Sequence, residues 1–379
     1  MPNELGRRKA RVAERSPFPS APAHATASPE AGAGLLRVRN LTLRPSDLWS
    51  PEFTAYYTAL TQTENSMREE WPAPERTASK TKWNEFDAWM ESRLTAGLLS
   101  AVLKTYPVDV LDTNLAGVHV GIVTPKEGVS AENQRRVLIN LRGGGFVINR
   151  GLTAGLTESA PVASLGRIKV ITLDYRQAPF HGYPAATDDV EAVYAHLLRE
   201  YGSASIGIYG CSAGGCLASQ AVARCQNKGL PRPGAVGIFN MAPPPPFSLL
   251  PPWAAEWGDS GNWYAGVPKD IPSERDKAMY AMVQWYMERC DINDAEAYPG
   301  RFDSVLARFP PTLLLSGTRD FAASTVIAAH ARFLKLGVDA SLYLMEGAPH
   351  AAHVTAVGTP EARAANGYIA RWFASRLAP

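Results

Sequence analysis

Cysteine is scarce in this chain. Four thiols in 379 residues (Cys211, Cys216, Cys225 and Cys290) are too few for a disulfide framework, and none has metal-ligand spacing. Reduced thiols in a cytoplasm are the expectation. Net charge is equally small: 38 basic against 36 acidic residues leave +2, which gives no pull toward nucleic acid or a membrane surface. No run of about 18 apolar residues occurs, so no transmembrane helix is expected. Arg7 and Arg8 form a twin-arginine pair, but no apolar stretch follows, so export through this segment is not expected. Two nucleotide signatures are missing as well. Neither G-x-x-x-x-G-K-[ST] nor G-x-G-x-x-G is present, which removes phosphate cradles and dinucleotide sites.

What is present is core material. Apolar residues make up 46% and charged residues an ordinary 20%, enough for one large α/β domain or two modest ones. Residues 1–40, rich in Ala, Pro, Ser and Arg without apolar periodicity, read as a disordered tail. Residues 48–103 read as helical: Phe53, Tyr56, Tyr57 and Leu60 share one face, and Phe86, Trp89, Met90 and Leu94 another. Pro72 and Pro74 break the stretch between them. Residues 108–111 and 118–123 read as a hairpin around 112–117. Strands at 137–141, 169–173, 206–209 and 235–241 then alternate with helices. One helix shows the apolar face Val190, Val193, Tyr194 and Leu197, with Thr187, Asp188 and Asp189 as its expected cap. This rhythm predicts a mostly parallel sheet covered on both faces. It stops at 243–309, an insertion carrying Trp253, Trp257, Trp263 and an amphipathic stretch at 279–287. It resumes with a strand at 312–316, a helix at 323–336, a strand at 341–345 and a helix around 368–377.

The stretch that organises the rest is Gly210-Cys211-Ser212-Ala213-Gly214, between a strand and a helix. G-x-S-x-G in that setting is a nucleophile elbow. A serine there sits in a strained turn, flanked by residues without an obstructing Cβ, at the N-terminus of a helix. Ser212 as nucleophile needs a base, and the base an orienting acid. Asp320 follows one of the next strands and His350 the strand after it. Both fall at the carboxyl ends of strands, where open parallel sheets place their ligands. Asp320 would accept from Nδ1 of His350, leaving Nε2 to take the Ser212 proton. Two alternatives stand: Asp320 alone also suits a helix cap, and His353 could serve as base instead. Arg142-Gly143-Gly144-Gly145-Phe146 ends another strand, where unblocked amides can turn toward an oxyanion.

Arg142–Phe146, Asp174-Tyr-Arg-Gln-Ala-Pro179, Tyr183–Asp189, Gly210–Gly215, Phe309–Asp320 and Glu346–His350 together resemble the hormone-sensitive-lipase-like branch of the α/β-hydrolases, which includes bacterial carboxylesterases. The resemblance implies an α/β-hydrolase fold with an eight-stranded, mostly parallel sheet flanked by helices. It implies core segments at 105–242 and 310–379, and a helical cap from 41–104 and 243–309. It implies Ser212, Asp320 and His350 as triad, Gly143, Gly144 and Ala213 as oxyanion donors, and neither metal nor cofactor. Phe146, Trp257 and Tyr286 are the expected pocket residues. Arg142 stands where the family has histidine and Cys211 where it has aspartate, so the loops those residues brace must be held differently here.

The function expected is serine carboxylesterase on short to medium uncharged esters, with activity falling below about pH 6.5 as His350 protonates. The same triad would suit a lactone, an amide or a tertiary-alcohol ester. A non-catalytic small-ligand receptor is the reading from another class, disfavoured because serine, acid and histidine are all present. A small-molecule ester is the expected partner, and a homodimer is open to the chain.

Overall fold

Strand 137–141 reads Val-Leu-Ile-Asn-Leu, apolar on both faces, which is what the middle of a parallel sheet demands. The computed structural model describes residues 44–67, 73–243 and 284–379, and builds around that strand an eight-stranded sheet ordered β1-β2-β4-β3-β5-β6-β7-β8. The strands are β1 Val108–Leu115, β2 Val118–Pro125, β3 Val137–Leu141, β4 Lys169–Leu173, β5 Ile206–Cys211, β6 Ala235–Phe239, β7 Thr312–Gly317 and β8 Ala340–Met345. β2 runs antiparallel to β1 and β4; every other pairing is parallel.

The helices are α1 Pro51–Met67, α2 Lys80–Met90, α3 Ala96–Thr105, α4 Thr153–Gly166, α5 Ala185–Leu197, α6 Ala213–Lys228, α7 Asp303–Leu306, α8 Ala323–Lys335, α9 Ala352–Thr355 and α10 Pro360–Arg376. One apolar layer joins α2, α5, α6 and α8 to one sheet face, through Trp83, Val190, Leu217 and Phe333. The other joins α1, α3, α4 and α10, through Phe53, Val102, Ala160 and Ile369. Alternate residues of β3 divide between them, Ile139 to the first and Leu138 to the second. Each such fully buried aliphatic or aromatic side chain contributes about 1.5–3 kcal/mol.

Four expectations need adjustment. The hairpin is longer than its apolar core suggests, because Ala116 and Gly117, at φ 51° and 84°, close a two-residue turn. Thr187, Asp188 and Asp189 do not cap α5. The helix begins at Ala185, Thr187 lies inside it, and Asp189 instead accepts from the amide and Nε of Arg176. The last helix starts at Pro360, eight residues before its aromatic face announces it, with the Thr359 hydroxyl accepting from the Ala362 amide. β6 ends at Phe239, where Asn240 takes φ 52° and turns the chain out of the sheet. The tail at 1–40 and residues 244–283 of the insertion lie outside the described residues.

Candidate active site

β5 delivers Ser212. Gly210 and Gly214 pack where any side chain would collide with the Leu141 carbonyl at the end of β3, so both must be glycine. Ser212 takes φ 56° and ψ −121°, a conformation costing roughly 1–3 kcal/mol in a residue with a Cβ. Its amide donates to the Phe239 carbonyl at 2.8 Å and its carbonyl receives the Gly215 amide at 2.9 Å, and these bonds hold the turn. The hydroxyl is half-buried, immediately before the first turn of α6.

β7 and β8 deliver the other two. Asp320 is fully buried, and its Oδ1 lies 2.8 Å from Nδ1 of His350 while also receiving the Ala322 amide at 3.0 Å. Its Oδ2 receives Ser316 Oγ at 2.7 Å and Asn240 Nδ2 at 2.8 Å. Burial alone would push this carboxyl up, but the His350 ring and these donors hold it below the ordinary carboxylate range. The His350 ring stacks on Phe321 at 4.3 Å. Asp320 taking Nδ1 leaves Nε2 as the basic nitrogen. No hydrogen bond joins that nitrogen to Ser212 among the described residues; such bonds are often long before substrate arrives. Asn240 ties the parts together, because its neighbour Phe239 holds the Ser212 amide while its own side chain holds Asp320. His353 is a different kind of residue. It is buried with Nδ1 unpartnered, its ring edge-on to Phe239 at 5.7 Å, and burial pushes its pKa down to about 3.

The glycine loop runs past the serine: a Cβ on Gly143 would stand 3.4 Å from Cβ of Ser212. Here one expectation is corrected. The Gly143 amide is not available to an oxyanion, because it donates to Oε1 of Glu158 at 2.8 Å. The amides of Gly144 and Gly145 have no acceptor among the described residues, so the third glycine replaces the first as the candidate donor beside Gly144 and Ala213.

A family described as alpha/beta hydrolase fold matches residues 138–354, over half the sequence. The chain belongs to the alpha/beta hydrolase family. The chain is similar to the crystal structure of an esterase at 26% identity and TM-score 0.72, covering 91% of this chain and 99% of that one. A crystal structure of an esterase from the bacterial hormone-sensitive lipase family shares its fold, at 23% identity and TM-score 0.66, with 87% and 99% covered. Esterase LipI of Mycobacterium tuberculosis is 31% identical over 190 residues, 47% of this chain and 53% of LipI. The match thus spans about half the length of that relative.

The two departures in this chain have structural answers. Arg142 is fully buried, with Nη2 on Asp174 Oδ1 at 3.0 Å, Nη1 on Gln177 Oε1 at 2.7 Å, and the guanidinium 4.5 Å over Tyr175. Asp174 also receives the Gly151 amide at 2.8 Å, so the loop from 142 to 151 is fixed at both ends. Burial alone would raise the Asp174 carboxyl, but Arg142, His119 and Gly151 hold it low. Cys211 is buried, its thiol pushed well up by desolvation and by the neighbouring Glu158 and Asp320, and Sγ lies 3.5 Å from Asn240 Oδ1. A thiol held neutral there is a packing group and not a nucleophile. Phe146 and Tyr286 are brought together, stacked at 4.5 Å and buried, with the Tyr286 hydroxyl receiving the Ala186 amide. Trp257 lies outside the described residues. Sequence reasoning missed Glu158 and Asn240. A lone acid in the otherwise small and apolar α4 was the readable signal for the first; nothing local marks the second.

Proposed function

We propose that this hydrolase is a serine carboxylesterase that cleaves short to medium, uncharged esters through an acyl-enzyme. The observation that carries the reading is the 2.8 Å bond from His350 Nδ1 to Asp320, which Asn240 and Phe239 link to a strained serine. Ser212 Oγ attacks the ester carbonyl carbon as Nε2 of His350 takes its proton. Amides of Gly144, Gly145 and Ala213 receive the oxyanion, each donor contributing about 3 kcal/mol. Collapse breaks the C–O bond, and the alcohol leaves with the proton from Nε2. Water then attacks the acyl group, gives its proton to the same nitrogen, and the acid departs as Ser212 recovers its hydrogen. The α2 segment supports a cap role, since Arg150 donates to the Trp83 carbonyl and pairs with Asp87, joining α2 to the glycine loop. The four free thiols, three of them buried, favour a cytoplasmic setting.

The test is p-nitrophenyl ester hydrolysis from acetate to palmitate, with a serine-directed organophosphate. Ser212→Ala is expected to lose at least a thousandfold in kcat while keeping its circular dichroism, and the organophosphate to label Ser212 alone. A Ser212→Ala protein hydrolysing at the wild-type rate would end the proposal.

A further inference from the structure

Among the described residues, Glu158 is the one buried acid near the site that the reaction above does not use. It lies on α4, 8% exposed, and its two carboxyl oxygens face different partners. Oε1 receives the Gly143 amide at 2.8 Å; Oε2 receives Asn140 Nδ2 at 3.0 Å. Asn140 is itself fully buried in β3, and its Oδ1 receives the Thr172 hydroxyl at 2.7 Å. The Gly143 amide can only donate, and with the Asn140 amide beside it both oxygens of Glu158 meet donors, an arrangement that suits a carboxylate.

We propose that Glu158 is a positioning residue for this reaction: its carboxylate holds the Gly143 amide, and so turns the Gly144 and Gly145 amides toward the oxyanion beside Ser212. The proposal rests on Ser212 being the nucleophile. The physical reason is local. Gly143 touches the elbow, Gly144 takes φ 128° and Gly145 φ 59°, and a loop of three glycines has no side chains with which to fix itself. Arg142 and Asp174 secure its start and its far end, leaving Glu158 as the anchor beside the nucleophile. Cys211, the elbow residue next to Ser212, offers no carboxylate for that purpose.

The proposal makes the brace dependent on ionisation. The charged or titratable groups facing Glu158 are Arg142 at the end of β3, Tyr175 after β4, and Tyr209 and Cys211 on β5. Burial pushes both phenols and the thiol up, so they stay neutral near pH 7. Burial raises Glu158 to about 7, opposed by the Gly143 and Asn140 bonds and by Arg142.

Hydrolysis of p-nitrophenyl acetate by wild type and Glu158→Gln, from pH 5 to 9, tests this. Glutamine keeps the shape but carries no charge, and its NH₂ meets one of the two donors. Its kcat is expected to fall at least tenfold with KM changed less than threefold. The acid limb of log kcat/KM should be steeper than one in wild type, where Glu158 and His350 must both lose a proton, and should relax to one in the variant. Wild-type kcat in Glu158→Gln overturns the proposal, as does a lower kcat with the limb unchanged, which would mark a merely structural acid. A wild-type limb with slope one overturns it even if the variant fails to fold. Failure of the esterase reading looks different, because Ser212→Ala would then hydrolyse like wild type.

Discussion

Arg142 and Glu158 flank the same loop and stand in opposite electrostatic positions. Arg142 is buried with a carboxylate at 3.0 Å, a side-chain amide and an aromatic face, so its charge is met. Replacing it with methionine leaves Asp174 without its guanidinium and is expected to lower unfolding free energy by about 3 kcal/mol. Arg142→Lys should recover little, since an ammonium cannot span Asp174 and Gln177 with a planar fork; urea titration of the three proteins measures both. Glu158 is held without a direct ion pair, and its pKa is raised to about 7. A raised carboxyl contributes stability that is complete below its unfolded value of 4.5 and is lost as pH climbs through 7. Glu158→Gln should therefore gain on wild type by roughly 2–3 kcal/mol between pH 5 and pH 8. An unchanged difference across that range would show that Glu158 does not bear the burial cost. The residue that costs stability at working pH is the one assigned to position the loop, which is where such a cost is expected.

At the scale of elements, α1 and α2 brace different halves of the site. Just ahead of α1, Trp49 donates Nε1 to the Glu346 carbonyl at 2.7 Å and lies 4.9 Å beneath the Arg319 guanidinium. Within α1, the Tyr56 hydroxyl meets Thr355 at 2.6 Å. These contacts hold the turn that carries His350. Trp49→Ala should cost about 3–5 kcal/mol through the cavity it leaves. It should also lower kcat on p-nitrophenyl acetate more than it raises KM, because the His350 turn loosens; wild-type kcat in a folded variant would show that α1 braces nothing catalytic. The sequence-level reading found these helices from their aromatic faces, and found the strand–helix rhythm, because both depend on period. It could not find that β4 lies between β2 and β3, since strand order is decided by non-local packing. It misplaced the start of α5 because Asp188 and Asp189, a plausible cap by type, are drawn instead to Arg224 and Arg176. The three residues proposed as triad were readable as candidates because each ends or follows a strand. The choice of glycine donors was not, because it turns on Glu158, a residue brought under the loop only by the fold.

Across the whole molecule, two buried groups oppose each other in pH. His353 is depressed to about 3 by burial, with the His350 charge adding to the effect and Asp320 opposing it. Its contribution to stability is present above the unfolded value of 6.5 and is lost as pH falls toward 3, at up to about 1.4 kcal/mol per pH unit. Glu158 moves the other way over the same interval, losing stability as pH rises from 4.5 through 7. In wild type the two contributions nearly cancel between pH 4.5 and 7, and each variant should expose the other. His353→Leu, which removes an unpartnered buried nitrogen, should leave a protein whose stability falls with rising pH. Glu158→Gln should leave one that weakens in acid, by roughly 2–3 kcal/mol from pH 6.5 to 4.5. Urea midpoints of the three proteins at pH 4.5, 5.5, 6.5 and 7.5 measure the slopes. Two variants tilting the same way would mean that these groups do not set the pH response, whereas opposite tilts about a flatter wild type would trace it to Glu158 on α4 and His353 on α9.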